Sequence, residues 1–184
     1  MSSANVSVEV HRLDAADARP EFACGDPDID EFFHKDSIEG SKELICVTYA
    51  WIESGNPIGF FSVSNDAIKK EDCPRSAFER IQKMIARSKR YSSMPAVKIG
   101  RLGVMSGGQR AGCGSRILDF LKVFFTHKNK TGCRFLIVDA YNTPEVIAFY
   151  KKNGFNFLVS NDEKEETRIM YFDLISFVSK ESPA

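Results

Sequence analysis

One stretch of the 184-residue chain puts chemistry-bearing types at a telling spacing: Gln109-Arg110-Ala111-Gly112-Cys113-Gly114-Ser115, between an apolar run and a helical pattern. The first N–H groups of a helix lack intrahelical partners and carry partial positive charge, so such a corner is an anion site. Glycines at 112 and 114 remove the Cβ atoms that would hold a pyrophosphate away from those N–H groups. Arg110 and Arg116 add charge from the sides. The spacing is not a Walker A motif, because no Lys precedes Ser115, and it is not a G-x-G-x-x-G dinucleotide fingerprint. An ordinary strand-to-helix corner fits the same residues. The five cysteines (Cys24, Cys46, Cys73, Cys113 and Cys133) are odd in number and form no C-x-x-C. They suggest neither a disulfide framework nor a zinc site, and no metal is expected.

The elements that must position this corner read as follows. Val6 to Leu13 alternates apolar and polar residues, a strand pattern. Asp26 caps a helix that has Pro27 at its first position and Ile29, Phe32 and Phe33 on its inner face. The runs ELICVTYAWIE and PIGFFSVSN, separated by SGN, form a hairpin. Residues 67–94 are basic and read as an insertion or mobile surface segment rather than core, with one helix carrying Phe78, Ile81, Met84 and Ile85. From Pro95 come a long buried strand, the glycine-rich turn, and an amphipathic helix with Ile117, Leu118, Leu121, Phe124 and Phe125 on one stripe. CRFLIVDAY is a further strand. Thr143-Pro144-Glu145 starts a helix and Gly154 stops it. FNFLV and TRIMYFDL close the chain as two strands. The order specifies an α/β (α+β) fold, a mixed central β-sheet of about six to seven strands flanked by helices, in one domain over residues 1–184.

Gln-x-x-Gly-x-Gly after an apolar strand resembles the acetyl-CoA pyrophosphate loop of the GNAT family of N-acetyltransferases. Asp139-Ala140-Tyr141-Asn142 and Ala148-Phe149-Tyr150-Lys151-Lys152-Asn153-Gly154-Phe155 resemble the second half of that fold. Phe22-Ala23-Cys24-Gly25 with Asp28-Ile29-Asp30-Glu31-Phe32-Phe33 resembles the "F-x-C-G-x-x-x-L-D-x-F" opening of GNAT toxins from bacterial type II toxin–antitoxin modules. Ile99 to Val104 resembles their "L-G-R-L-A-V" segment, with Gly103 in place of the usual Ala. The resemblance implies an acetyl-CoA-dependent acyltransferase, with acetyl-CoA as co-substrate. Its acceptor would be a primary amine, in the toxins the amino group of aminoacyl-tRNA. The alternatives are a small-molecule or protein N-acetyltransferase and a non-catalytic module that binds CoA or a partner.

The same resemblance distributes the roles. Leu102, Gly103 and Val104 offer backbone N–H groups to the thioester oxygen. Gln109 to Ser115 hold the pyrophosphate, Asn142 and Phe149 lie along the CoA arm, and Tyr150 is the acid for the departing thiolate. A phenol with pKa near 10 matches a thiolate of similar basicity. From spacing alone, Tyr150 also reads as a core tyrosine beside Ile147, Asn142 as a turn residue and Cys113 as a small packing residue. No general base stands out. His11, His34 and His127 are scattered, and Glu53, Asp66 and Glu145 are the carboxylate candidates. An α-amine, with pKa of about 7.7–8.0, needs less help than a lysine amine near 10.4.

The formal net charge is zero, from 25 basic and 25 acidic residues. By block, however, residues 1–66 carry net −9 and residues 67–134 carry net +12. Lys69, Lys70, Arg75, Arg80, Lys83, Arg87, Lys89 and Arg90 suit a tRNA backbone, an acidic antitoxin or plain solvent. The apolar fraction of 43% excludes a disordered chain. The N-terminus lacks a basic segment followed by an apolar one, and no apolar run approaches the roughly 20 residues of a membrane span. A cytoplasmic protein without membrane contact is expected, with homodimerisation open.

Overall fold

The computed structural model describes residues 7–85 and 91–181. Seven strands form one mixed sheet in the order β1-β2-β3-β4-β5-β7-β6. These are β1 Val8–Leu13, β2 Val47–Glu53, β3 Asn56–Lys69, β4 Ser93–Val104, β5 Phe135–Tyr141, β6 Asn156–Phe157 and β7 Thr167–Asp173. The helices are α1 Pro27–Glu31, α2 Ser37–Lys42, α3 Arg75–Lys83, α4 Cys113–Thr126, α5 Pro144–Lys152 and α6 Leu174–Glu181. A π-helical turn, Phe32–Asp36, joins α1 to α2. β4 and β5 pair in parallel, Ala96–Lys98 with Phe135–Ile137. The β1–β2, β2–β3, β5–β7 and β6–β7 pairs are antiparallel.

The described residues fall into two compact units, one within residues 7–64 and 99–120, the other within 65–85, 91–98 and 121–181. In the first, Phe22, Phe33 and Phe60 build an aromatic core with Leu13, Cys24 and Ala50. The Phe33 and Phe60 centroids stand 4.5 Å apart, and Phe22 meets Phe60 edge-on at 5.0 Å. Helix α1 begins where its sequence says. The Asp26 carboxylate accepts from the N–H groups of Asp28 (3.0 Å) and Ile29 (3.3 Å), and Pro27 needs no donor at its position.

In the second unit Ile68, Phe78, Ile81, Met94, Phe135 and Tyr171 share a core. This corrects the expectation for residues 67–94. β3 runs on to Lys69, β4 starts at Ser93, and α3 turns Ala77, Phe78 and Ile81 inward to 5%, 2% and 0% exposure. The helix stands where Phe78 and Ile81 mark it, and what the surrounding charge concealed is that its apolar face is core. A second correction concerns the end of the chain, where β7 is followed by α6 rather than by the close of the fold. Helix α5 is capped by the Thr143 hydroxyl, which accepts from Val146 N–H at 3.4 Å. It ends at Gly154, whose φ of +86° puts it in the left-handed region.

Candidate functional site

In the first unit β4 delivers Leu102, Gly103 and Val104 to a short 3₁₀ turn, Ser106–Gly108, and then to the loop that opens α4. Two loop residues are left-handed, Arg110 at φ +64° and Gly112 at φ +82°. Those two reversals set Cys113, Gly114 and Ser115 as the first turn of a 14-residue helix, with Arg110, Ala111 and Gly112 exposed in front of it. The first-turn N–H groups thus face a loop without bulk, the arrangement an anion needs. The Cys113 side chain is buried behind the turn at 1% exposure, and burial pushes its thiol up to about 11. It packs, as its small size suggests, and is a poor nucleophile.

Gln109 works through its side chain. Nε2 donates to the carbonyls of Cys24 at 2.7 Å and Val104 at 3.2 Å, so the amide braces the turn from within. Ser106 adds a backbone bond to the Ala23 carbonyl at 3.1 Å and a hydroxyl bond to it at 3.2 Å. Arg116 departs from the expected role of lending charge to a phosphate. Its Nη2 and Nε lie 2.5 and 3.2 Å from Glu53 Oε1, and Nη1 donates to the Ala111 carbonyl at 3.1 Å. The guanidinium is committed to a carboxylate 63 residues away and holds the loop from below. Arg110 is the exposed cation of the loop.

The same pair removes Glu53 as a base. Burial acts to raise its carboxyl, but hydrogen bonds from Trp51 and Arg116 outweigh that and hold it below the usual range. His34 is tied to the Phe22 carbonyl at 2.9 Å and His11 to Glu9 at 3.0 Å. Asp66 accepts from the following N–H at 2.7 Å, and Glu145 lies in the first turn of α5.

The second unit holds Asn142, Phe149 and Tyr150. Asn142 Nδ2 donates to the carbonyls of Glu163 and Glu165, both at 2.9 Å, and so latches the loop before β7. Phe149 is half-buried, with its ring 5.0 Å from that of Tyr150. Tyr150 is 7% exposed and also meets Phe155 at 5.3 Å. Burial pushes its phenol above the ordinary value, so the group stays protonated at neutral pH. The core reading of this tyrosine and the acid reading are compatible.

Of the expected basic surface, Arg80 turns inward, donating to the carbonyls of Phe157 at 3.0 Å and Leu158 at 2.7 Å. Arg75 pairs with Glu79 at 2.7 Å and Lys69 with Asp72 at 3.6 Å. Arg87, Lys89 and Arg90 lie outside the described residues. A pocket of about 410 Å³ remains, lined by Lys70, Arg75, Phe78, Lys83 and Tyr91 among others. Sequence reasoning missed the Lys98–Asp139 pair, 2.5 Å between Nζ and Oδ2, on neighbouring strands of this unit. The available signal was Asp139 as the one charged residue of β5, opposite a β4 that carries Lys98 and Arg101 among apolar residues. Among the described residues no helix is long and apolar enough to cross a membrane. No group of three His, Cys, Asp or Glu side chains among them is arranged to hold a metal ion.

No protein-family model matches the chain, and no curated protein matches its sequence. Solved structures do. AtaT in complex with acetyl-methionyl-tRNAfMet aligns at a TM-score of 0.75 and 20% identity, over 96% of this chain and 100% of that one. AtaTR bound with acetyl-CoA aligns at 0.72 and 18% identity, over 95% and 98%. A mutant AtaT toxin bound to the C-terminus of the antitoxin AtaR aligns at 0.69 and 18% identity, over 97% and 99%. Likeness at this identity is likeness of fold. The chain has the GNAT fold, in the form these toxin structures share.

Proposed function

We propose that the chain is a single-domain, acetyl-CoA-dependent N-acetyltransferase acting on a primary amine, and that the amine is the amino group of aminoacyl-tRNA. The observation that carries the reading is the corner between β4 and α4. There, two left-handed residues open the N-terminus of a long helix to an anion. Arg110 and the N–H groups from Gly112 to Ser115 hold the pyrophosphate, with Gln109 and Ala111 shaping the turn, and the backbone of Leu102, Gly103 and Val104 receives the thioester end. Asn142 and Phe149 border the CoA arm.

The neutral amine attacks the thioester carbon. A C–N bond forms, the C–S bond breaks, the Tyr150 hydroxyl gives its proton to the leaving sulfur, and the proton lost from the acylated nitrogen restores the phenol by way of solvent. Burial keeps the phenol protonated, so the proton is in place when the sulfur leaves, while the raised value makes the transfer less favourable than a match near 10 would. Glu53, depressed by its partners, leaves the chain without a strong carboxylate base there, which favours an acceptor of low pKa such as an α-amine. The finer reading, tRNA as acceptor and an antitoxin as partner, is supported by the fold shared with AtaT bound to acetyl-methionyl-tRNAfMet and to AtaR. The pocket lined by Lys70, Lys83 and the Arg75–Glu79 pair, net positive, adds to it.

The test is transfer from labelled acetyl-CoA to charged tRNA, a polyamine and a peptide panel, beside acetyl-CoA-dependent thermal stabilisation. Label is expected on charged tRNA. The Tyr150→Phe variant should lose about 10²-fold or more in turnover while binding acetyl-CoA as before. Absence of any acetyl-CoA-dependent stabilisation sinks the enzyme reading. Label on the small amines alone sinks the tRNA form.

A further inference from the structure

We propose that Asp30 is a positioning residue for the phosphate-binding turn, acting through Cys24 and Gln109; this rests on the acetyl-CoA reading above. Asp30 Oδ1 accepts the N–H of Cys24 at 2.8 Å. The carbonyl of Cys24 in turn accepts Gln109 Nε2 at 2.7 Å, and the same Nε2 donates to the Val104 carbonyl at 3.2 Å. A carboxylate on α1 is therefore joined through one residue's backbone to the side chain that begins the anion loop.

The surroundings fix the geometry of this relay. Phe22 and Cys24 are buried at 6% and 8% exposure, which anchors the strap between β1 and α1. Gly25, at φ +88°, reverses the strap so that Asp30 comes back over Cys24. The Ala23 carbonyl takes both the backbone and the hydroxyl of Ser106, so strap and turn are stitched at adjacent residues. On the other side of the turn, Asp28 of the same helix pairs with Arg101 of β4 at 3.1 Å. Helix α1 thus holds Arg101 directly and Gln109 by way of Cys24, at the two ends of residues 101–109. A hydrogen bond to an ionised acceptor is stronger than a neutral one, so Asp30 fixes the Cys24 backbone and with it the direction of the carbonyl that Gln109 grips. The N–H groups of Cys24 and Gly25 keep the Asp30 carboxyl below its usual range, against the effect of burial.

The experiment uses the full chain, with acetyl-CoA affinity by calorimetry and amide exchange over residues 22–30 and 104–115. Asp30→Ala should raise the acetyl-CoA dissociation constant about tenfold and speed exchange over 104–115. Asp30→Asn keeps an oxygen at the acceptor position and should stay within about twofold. In a Gln109→Ala background the relay is already cut, so adding Asp30→Ala should change affinity by less than about twofold. An unchanged dissociation constant in Asp30→Ala overturns the proposal, as does a full loss that persists without Gln109. If the wild-type protein binds no acetyl-CoA, the acetyl-CoA reading falls, while faster exchange over 104–115 in Asp30→Ala still upholds the relay and unchanged exchange overturns it. Should Asp30→Ala fail to fold, Gln109→Ala must speed exchange at 22–30, and unchanged exchange there is the refuting result.

Discussion

A single methyl group at Gly103 tests the packing that aims β4. An alanine Cβ there would stand 2.6 Å from Phe60 Cε1, 2.9 Å from Ile29 Cγ2 and 2.9 Å from Phe22 Cζ. Ordinary carbon contacts lie at about 3.5–4.0 Å, so three neighbours would have to retreat by roughly 0.6 Å or more. None is a flexible chain end. Phe60 is fully buried and already held by Phe22 and Phe33. Overpacking costs about 1–3 kcal/mol, and three clashes with aromatic and branched partners argue for the upper part of that range, about 2–3 kcal/mol. In a chain of this length that corresponds to a loss of roughly 5–10 °C in Tm. Trp51, the one tryptophan and 3% exposed, reports unfolding by fluorescence in a urea titration. Phe22→Leu added to Gly103→Ala should recover part of the loss. A Gly103→Ala protein within about 0.5 kcal/mol of wild type would refute the argument. The toxin pattern resembled by this strand has Ala where Gly103 stands, and the structure supplies a reason: Phe22, Ile29 and Phe60 occupy the space of that methyl.

Two further outcomes follow from the same unit. Gly112→Ala places a side chain at φ +82°, where backbone strain costs about 1–2 kcal/mol although the nearest neighbour, Arg116 Nη1, is 3.7 Å off. Acetyl-CoA affinity should fall about tenfold with a Tm loss of only a few degrees, and wild-type affinity would exclude this turn as the phosphate site. Glu53 contributes stability of definite sign. Burial acts against its ionisation, but Trp51 and Arg116 prevail and lower the carboxyl below 4.5, so its contribution is present above that pH and lost as pH falls through the folded value. The urea midpoint should therefore drop more between about pH 5 and pH 3 in the wild type than in Glu53→Gln; equal slopes would show that the pair does not stabilise the fold.

Local chemistry made much of the fold readable. Asp26-Pro27 and Thr143-Pro144 start helices where their hydroxyl or carboxylate oxygens say they do, and Gly154 ends one. The glycine corner was readable for the same reason, since its conformation depends on residues within one turn. Four features were not. The apolar stripe of α3 was readable at Phe78 and Ile81, but the charge of Arg75, Arg80 and Lys83 around it suggested a surface segment and concealed its burial. LISFVSKE carries β-branched and aromatic residues that suit a strand, yet it forms α6, whose first residue Leu174 is buried. Arg116 looked like a phosphate ligand because its partner, Glu53, is distant in sequence and no local spacing connects them. Gln109 and Cys24 are 85 residues apart and hidden from one another in the same way.

The inward turn of Arg80 bears on self-association. β6 is the last strand of the sheet and only two residues long. A strand at that position ordinarily offers its carbonyls as a template for a second chain. Here the guanidinium of α3 already occupies the oxygens of Phe157 and Leu158. A copy docking by strand addition at this rim would have to evict a cation from two acceptors before gaining any bond of its own. Arg80 thus occupies two acceptors that strand addition at this rim would need.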